Sequence, residues 1–464
     1  MASPTRRLPR CKQPTDRAGQ GGGWGSPAVR STGAAFLGDA RRAATPARVT
    51  HRLPVAAALA LLLVALGVAL ALTVPWTVLP GADPKTDLLR DFTPAQLARE
   101  VAFHDALRPS SYAALVVALV VAGLLGLTRA GARIVTALAR PLGGGWGWQV
   151  LLGTLALAVL GRLATVPLSV RSELVLRDYG LSRQTWGSWS LDVVKGVLVD
   201  AGLTALALLA LVTLARVATR TWWAWGALAT AGLVVAGSFA YPLVVEPVFN
   251  DFRPLAPGEL RDDLLALAER DGVPVDDVLV ADASRRTTAL NAYVSGFGSS
   301  RRIVVYDTLL EQAPAAEVEL IVAHELGHAD QRDVLVGTLL GAFGAAAAVC
   351  ALALALSWAP LLRRAGAAGM ADPRVIALVL LLVAVVSLAV APAVNVVSRR
   401  IEARADVHSL DLTRDPATFL ASQRRLAVTN LSDLDPHPLA YVFFATHPGV
   451  TERLALAREW ERLR

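Results

Sequence analysis

Seven long apolar stretches constrain the fold of this chain more than any other feature of its sequence. They lie at about 55–76, 112–128, 148–169, 196–215, 222–245, 334–358 and 375–397. Each is close to the ~20 residues that an α-helix needs to cross ~30 Å of hydrocarbon. A soluble core does not require apolar runs of this length. The pattern therefore predicts a mainly α protein with seven helices that cross a lipid bilayer.

Aromatic and charged residues refine the description of these spans. Tryptophans lie at or near the ends of the stretches, as in the aromatic belt of membrane proteins: Trp76, Trp146, Trp148, Trp222, Trp223 and Trp358. Arg162 interrupts the third stretch, and Asp200 lies in the fourth. Charged groups at this depth are candidates for lining a cavity, although snorkelling or mutual pairing explains them equally well.

The positive net charge of +7 is concentrated in one segment. Residues 1–52 hold ten of the 45 basic residues but only two of the 38 acidic residues, so the rest of the chain is nearly neutral. This distribution excludes nucleic acid as a partner. The segment is rich in Gly, Pro, Ser and Arg, which predicts a disordered basic arm over residues 1–53. Only two cysteines occur, Cys11 and Cys350, which excludes a thiolate metal cluster.

The spans and the polar segments divide the rest of the chain into two parts. Residues 54–245 form a five-span membrane region. Residues 246–464 contain spans six (334–358) and seven (375–397) together with the polar segments. Within that second part we expect a helix over 259–271, a strand over 278–280 and a β hairpin within 291–305. A further helix begins near Pro314 and runs through His328.

The most specific motif is His324-Glu325-Leu326-Gly327-His328. On a helix, residues i and i+4 share one face, so both imidazoles can reach one ion. A zinc ion lowers the pKa of a bound water to about 7, and Glu325 is placed to accept its proton as it attacks a carbonyl. The alternative is that both histidines lie on a polar helix face and form hydrogen bonds without binding a metal. The spacing favours the metal site.

A catalytic zinc site needs a third protein ligand, and Glu402 is the best candidate. The helix with His324 and His328 leads into span six, and Glu402 directly follows span seven. Two consecutive spans form a hairpin whose ends lie on the same membrane face, so the three side chains can converge. Asp406 lies one turn beyond Glu402 and is placed to accept a proton from a ligand imidazole. The alternative for Glu402 is a solvated charge beside a membrane span.

The other histidines are weaker candidates for the metal. His408 is a possible ligand, but it lies about half a turn away from the face of Glu402. His51 and His104 are far away in the chain, and we expect both at the surface.

Further segments, together with the histidine motif, resemble the type I CAAX prenyl protease family of integral-membrane zinc metalloproteases, whose relatives include the bacterial heat-shock membrane protease. The resemblance covers about residues 55–464. Its segments are Tyr241-Pro242, 246–250, 282–286, 291–293, 303–309, Thr446-His447-Pro448 and Glu452-Arg453.

This resemblance implies a seven-span helical barrel around a water-filled chamber, with a zincin-like domain carrying the small hairpin. It implies one zinc ion per chain, held by His324, His328 and Glu402, with Glu325 as the base. It also implies that Asn291 and His447 hold the substrate carbonyl and stabilise the oxyanion, which typically contributes several kcal/mol. Read without the resemblance, Asn291 is a turn residue and His447 a helix-capping neighbour of Pro448. Arg453 is expected to orient a carboxylate.

The expected function is a zinc-dependent membrane endopeptidase that hydrolyses membrane-associated or lipidated peptides. One alternative is a quality-control protease acting on damaged membrane proteins. Another is a zinc-binding scaffold or transporter without catalysis, which would not need an acid such as Glu325 beside the first histidine. The composition, rich in Ala and Arg and poor in Lys, indicates a bacterial host and hence a multi-pass protein of the bacterial cell membrane.

The family resemblance and the charge of the N-terminal arm favour opposite orientations of the chain in the membrane. The resemblance places the zinc site in the cytoplasm, which with five preceding spans puts the N-terminus outside. The ten basic residues of the arm favour a cytoplasmic N-terminus under the positive-inside rule. We expect a site that faces the cytoplasm.

Overall fold

Seven helices in the part of the chain described by this computed structural model, residues 52–296, 298 and 301–464, are long and apolar enough to cross a membrane. They are α1 (Arg52–Thr73), α3 (Pro94–Gly126), α5 (Trp146–Asp178), α6 (Trp186–Val217), α7 (Trp222–Ala240), α12 (Asp333–Leu356) and α14 (Ile376–Thr413). This confirms the seven predicted spans. His51 and the predicted basic arm, except its last two residues, lie outside the described residues.

The remaining helices are shorter and lie mostly between or after the spans. They are α2 (Leu88–Asp91), α4 (Arg129–Ala139), α8 (Glu246–Phe249), α9 (Glu259–Arg270), α10 (Asp307–Gln312), α11 (Ala315–Asp330), α13 (Ala359–Ala365), α15 (Pro416–Asn430), α16 (Pro438–Phe444) and α17 (Val450–Leu463). A π-helical turn, Tyr241–Val245, joins α7 to α8.

Several spanning helices extend beyond their apolar stretches. The helix α3 begins at Pro94 rather than near residue 112, because Thr93 and Gln96 form a capping box at its start. Its first turns are therefore polar and precede the apolar stretch. The helix α14 continues through the seventh stretch to Thr413, which carries Glu402 and Asp406 on regular helix beyond that stretch.

Four strands form a mixed sheet in the order β1 (Phe252–Pro254), β2 (Asp277–Ala281), β4 (Arg302–Tyr306) and β3 (Ala292–Ser295). The strand β2 runs parallel to β4 and antiparallel to β1, and β3 is antiparallel to β4. The predicted strand and hairpin are present. The strand β1 was not predicted, because three residues ending in proline give no alternating pattern. Within this sheet β3 is an edge strand.

The helix α11, which carries the histidine motif, is buried on two sides. Val322 and Leu326, one turn apart, lie in an apolar cluster with Ile303 of β4 and Leu264 of α9. On its other side Leu320 lies in a cluster with side chains of α14, α15 and α17: Leu410, Phe419, Ala457 and Trp460. Burying a leucine side chain fully is worth about 1.5–3 kcal/mol. The motif is therefore carried by a firmly packed helix.

A second set of helices shares an apolar cluster formed by side chains of the membrane spans. Arg162 of α5 and Asp200 of α6 line one cavity of about 390 Å³ together with residues of α3 and α14. The structure therefore places both charges as cavity-lining groups, one of the alternatives that the sequence left open.

Candidate metal centre

The two histidines of the motif lie one turn apart on α11, with ring centroids 5.0 Å apart. Gly327 between them lies against α14. A Cβ atom at this position would come within 3.0 Å of the His408 ring. The small residue therefore allows α14 to approach the motif closely.

Glu402 of α14 completes a group of three potential ligands. Its Oε2 atom lies 3.3 Å from Nε2 of His324, and its Oε1 atom lies 3.6 Å from Nε2 of His328. One ligand atom from each residue can be chosen so that all three lie within 4.8 Å of one another. Tetrahedral zinc with bonds of about 2.0–2.1 Å separates its ligand atoms by about 3.3 Å, so these spacings fit zinc.

The burial of the Glu402 carboxylate also favours a bound metal ion. Its Oε2 atom is buried and makes no well-aligned hydrogen bond to the described residues, although the Nε2 atoms of two histidines lie 3.3 Å away. A buried carboxylate oxygen without a partner is costly, and a cation satisfies it. Both the spacing and the unsatisfied oxygen therefore fit a metal held by imidazole nitrogens and a carboxylate.

Each histidine has a second carboxylate on the far side of its ring. His324 Nδ1 lies 2.9 Å from Oδ1 of Asp406, which is fully buried and receives a hydrogen bond of 2.8 Å from Nε of Arg453. His328 Nδ1 lies 2.9 Å from Oδ2 of Asp333. Such pairing fixes the ring and leaves Nε2 facing the centre.

Asp333 is a residue of the candidate metal centre that sequence reasoning missed. It follows His328 by five residues, at the first position of α12, and it also pairs with Arg404 of α14. Its only sequence signal is an acid just beyond the motif. That signal is weak, because Arg332 before it takes a left-handed turn (φ 56°) that redirects the chain.

The electrostatics of the centre follow from burial among opposite charges. Burial would lower the pKa of His324, but Asp406 and Glu402 outweigh that effect and raise its pKa to about 9. Burial raises the pKa of Glu325, and the nearby His324 and His328 only partly offset it. Glu325 therefore lies within electrostatic reach of the ligand group and holds a proton more readily than an exposed glutamate.

His447 also faces the centre, from the turn before α17. Its Nε2 atom lies 3.3 Å from Oε2 of Glu402, and its Nδ1 atom lies 2.9 Å from the hydroxyl of Thr446. Arg399 of α14 holds this turn by donating a hydrogen bond of 2.6 Å to the carbonyl of Ala445. The His447 side chain is 61% exposed, so it remains accessible to a substrate.

Asn291 lies at the start of the edge strand. Its carbonyl accepts a hydrogen bond of 3.0 Å from the N–H of Tyr306, and its side-chain oxygen accepts one of 3.0 Å from the N–H of Ala292. Asn291 and His447 line the same cavity of about 790 Å³. The structure thus gathers both residues implied by the family resemblance on one cavity.

Two other histidines lie away from this centre. His408 Nε2 lies 2.9 Å from Oδ1 of Asp271, which ties α14 to the end of α9. The expectation that His104 is a surface histidine is wrong. Its side chain is only 15% exposed, and its Nε2 atom lies 2.9 Å from the carbonyl of Leu431.

Two protein-family models match this chain, and the boundary between the two matches lies at the start of the sheet. The family model described as the CAAX prenyl protease N-terminal part, with five membrane helices, matches residues 109–251. The model of peptidase family M48 matches residues 254–461, which include the motif, Glu402 and His447.

Individual relatives agree with these matches. The uncharacterized metalloprotease YhfN of Bacillus subtilis is 33% identical over 307 residues, which cover 66% of this chain and 72% of the relative. A CAAX prenyl protease 1 homolog of Oryza sativa subsp. japonica is 28% identical over 308 residues, or 64% and 70% of the two chains. The crystal structure of S. mikatae Ste24p matches with a TM-score of 0.69 at 20% identity, over 88% of this chain and 99% of that one. The structural match shows the fold and supports the predicted chamber.

Proposed function

This chain is a membrane metalloprotease of the CAAX prenyl protease type in peptidase family M48, and on that premise we propose that it is a zinc-dependent endopeptidase. The observation that carries the proposal is the convergence of His324, His328 and Glu402, with ligand atoms within 4.8 Å of one another and a buried, unsatisfied oxygen on Glu402. The match to a peptidase family does not favour the alternative of a non-catalytic zinc-binding scaffold or transporter.

In this proposal one zinc ion is held by Nε2 of His324, Nε2 of His328 and the carboxylate of Glu402. When bound, zinc supplies a Lewis acid that polarises a peptide carbonyl and acidifies water. Asp406 and Asp333 hold the Nδ1 protons of the two histidines, which keeps the Nε2 lone pairs directed at the centre. Arg453 balances the buried charge of Asp406.

Glu325 moves the protons. Its carboxylate accepts a proton from the attacking water and delivers it to the nitrogen of the leaving amine. A general base works best when its pKa is close to the working pH, and burial raises the pKa of Glu325 in that direction.

The edge strand β3 is proposed to bind the substrate backbone. In an antiparallel ladder, residues alternate between facing the partner strand and facing away from it. The Asn291 carbonyl bonds to Tyr306, so the backbone groups of Ala292 and Val294 face away from β4. They can pair with an extended peptide by strand addition. Asn291 and His447 then lie along the same cavity, where their donors can stabilise the oxyanion.

The proposed substrates are membrane-associated or lipidated peptides. The rice relative is named a CAAX prenyl protease 1 homolog, and the present chain carries the membrane region as well as the peptidase domain of that type. Quality control of damaged membrane proteins would use the same site on different substrates. Identifying the peptides that a hydrolysis-deficient variant retains would distinguish the two.

Removal and return of the metal test the proposed chemistry. We expect a zinc chelator to abolish peptide hydrolysis by the purified full-length protein in detergent, and one equivalent of Zn²⁺ to restore it, because the proposed ion is the Lewis acid that activates the water. Mg²⁺ should not restore activity, because it prefers oxygen ligands in octahedral geometry. Hydrolysis that persists after elemental analysis shows no zinc would refute the proposal.

We also propose that the site faces the cytoplasm of a bacterial cell. Five spans separate residue 52 from the sheet, so the two lie on opposite membrane faces. With Cys11 and Cys350 replaced, a cysteine at exposed Asp262 on α9 should resist a membrane-impermeant thiol reagent in intact cells. A cysteine at exposed Thr219, between α6 and α7 on the opposite face, should react. The reverse pattern would overturn this orientation.

A further inference from the structure

A second group of potential metal ligands lies outside the candidate metal centre. Glu100 and His104 are one turn apart on α3, in the polar part that precedes its apolar stretch, and Asp433 lies in the segment after α15. One ligand atom from each residue can be chosen so that all three lie within 4.8 Å of one another. Glu100 is only 5% exposed. A buried acid and a histidine thus face a second acid from a distant part of the chain.

A backbone carbonyl extends this donor set. Nε2 of His104 donates a hydrogen bond of 2.9 Å to the carbonyl oxygen of Leu431 and lies 3.4 Å from Oε1 of Glu100, and a cation bound between these atoms would replace the Nε2 proton. Adjacent ligand atoms of an octahedral ion with bonds of about 2.1 Å are about 3.0 Å apart. Leu431 caps the end of α15, and it has the left-handed conformation (φ 49°, ψ 51°) in which helices commonly end. The end of this helix therefore holds the carbonyl against the histidine.

Only one of the two carboxylate oxygens of Asp433 is paired. Arg108 donates a hydrogen bond of 2.6 Å to Oδ2 of Asp433. The other oxygen, Oδ1, is buried and has no hydrogen-bond partner among the described residues. Arg108 therefore satisfies one oxygen of Asp433 and leaves the other, buried oxygen without a partner, which favours a bound cation.

We propose that Glu100, His104 and Asp433, together with the Leu431 carbonyl, bind a divalent transition-metal cation such as Mn²⁺. Carboxylates and a carbonyl suit Mn²⁺, and the imidazole favours a transition metal over Mg²⁺ or Ca²⁺. Arg108 remains on Oδ2 of Asp433, and Oδ1 is the ligand. This site shares no residue with the zinc ligands proposed above, so either site can fail without the other.

The position of the site gives the cation a structural consequence. His104 and Asp433 line the same cavity of about 790 Å³ as Asn291 and His447. A cation here ties α3, a membrane span, to the segment that follows α15 in the peptidase domain. It would therefore fix one wall of the cavity in which substrate is proposed to bind.

Mn²⁺ binding to the full-length protein tests the proposal. The test uses a His324→Ala/His328→Ala background, which removes two ligands of the first centre. We expect one equivalent of Mn²⁺, with an electron spin echo modulation from a directly bonded imidazole nitrogen. Glu100→Gln, which keeps the side-chain shape, should weaken Mn²⁺ binding at least about tenfold, since loss of even an outer partner of a metal ligand costs about 10–100-fold. His104→Ala should also remove the nitrogen modulation.

Asp105→Asn is the matched control, because it removes an acid from the same helix whose side chain is 71% exposed. It should leave the Mn²⁺ affinity within a few-fold. Equal affinities in the Glu100→Gln and Asp105→Asn proteins, or no stoichiometric Mn²⁺ in the background protein, would overturn the site. If His104→Ala fails to fold, the isosteric Glu100→Gln variant still decides between these outcomes.

Discussion

Glu325→Gln is expected to lower the rate of peptide hydrolysis by about 10²–10⁴-fold, the range typical for loss of a general base or acid. Glutamine keeps the size of the side chain and its place on α11, but it cannot accept the proton of the attacking water. Zinc should remain bound at one equivalent, because the proposed ligands are unchanged. Hydrolysis of a peptide substrate and elemental analysis on the same preparation measure both quantities.

Glu319→Gln provides the matched control for this experiment. Glu319 lies on the same helix, outside the ligand group, and also carries a pKa raised by burial. Its substitution should leave hydrolysis within a few-fold of the parent protein. A Glu325→Gln protein that hydrolyses peptide as fast as the Glu319→Gln protein would remove Glu325 from the role of base. Loss of zinc in the Glu325→Gln protein would instead show that Glu325 supports the metal.

The second large effect is expected for Glu402→Ala. Removing one of three protein ligands should lower the zinc affinity by more than the ~10–100-fold that loss of an outer partner typically costs. Hydrolysis should fall with it. The buried imidazole of His324 and the partly buried imidazole of His328 would also lose the carboxylate that lies 3.3–3.6 Å from them. Zinc competition against a chelating dye measures the affinity directly.

Asp333→Asn tests whether the effect of Glu402 is that of a direct ligand. Asp333 contacts His328 from behind, 2.9 Å from Nδ1, so its loss should weaken zinc by only about 10–100-fold. Elevated zinc should then restore hydrolysis by the Asp333→Asn protein but not by the Glu402→Ala protein at the same concentration. Equal losses of affinity in both variants would contradict the distinction between ligand and outer partner.

The sequence by itself determined the number of spans, the helix of the histidine motif and the third candidate ligand. These depend on local periodicity and on one topological rule: the ends of a helical hairpin lie on the same membrane face. His324 and His328 share a face because of helical spacing, and Glu402 follows the span that returns to them. The hairpin of β3 and β4 was also readable from turn residues and alternation.

Tertiary structure alone decided the features that depend on contacts between distant segments. Asp333 approaches His328 only because Arg332 turns the chain between α11 and α12. His104 reads as an isolated surface histidine, yet the fold brings Asp433, more than 300 residues away, to its side. The placement of Arg162 and Asp200 on one cavity likewise required the packing of four spans. Sequence periodicity reports which face of a helix is buried, but the partner that buries it is set by packing across the whole chain.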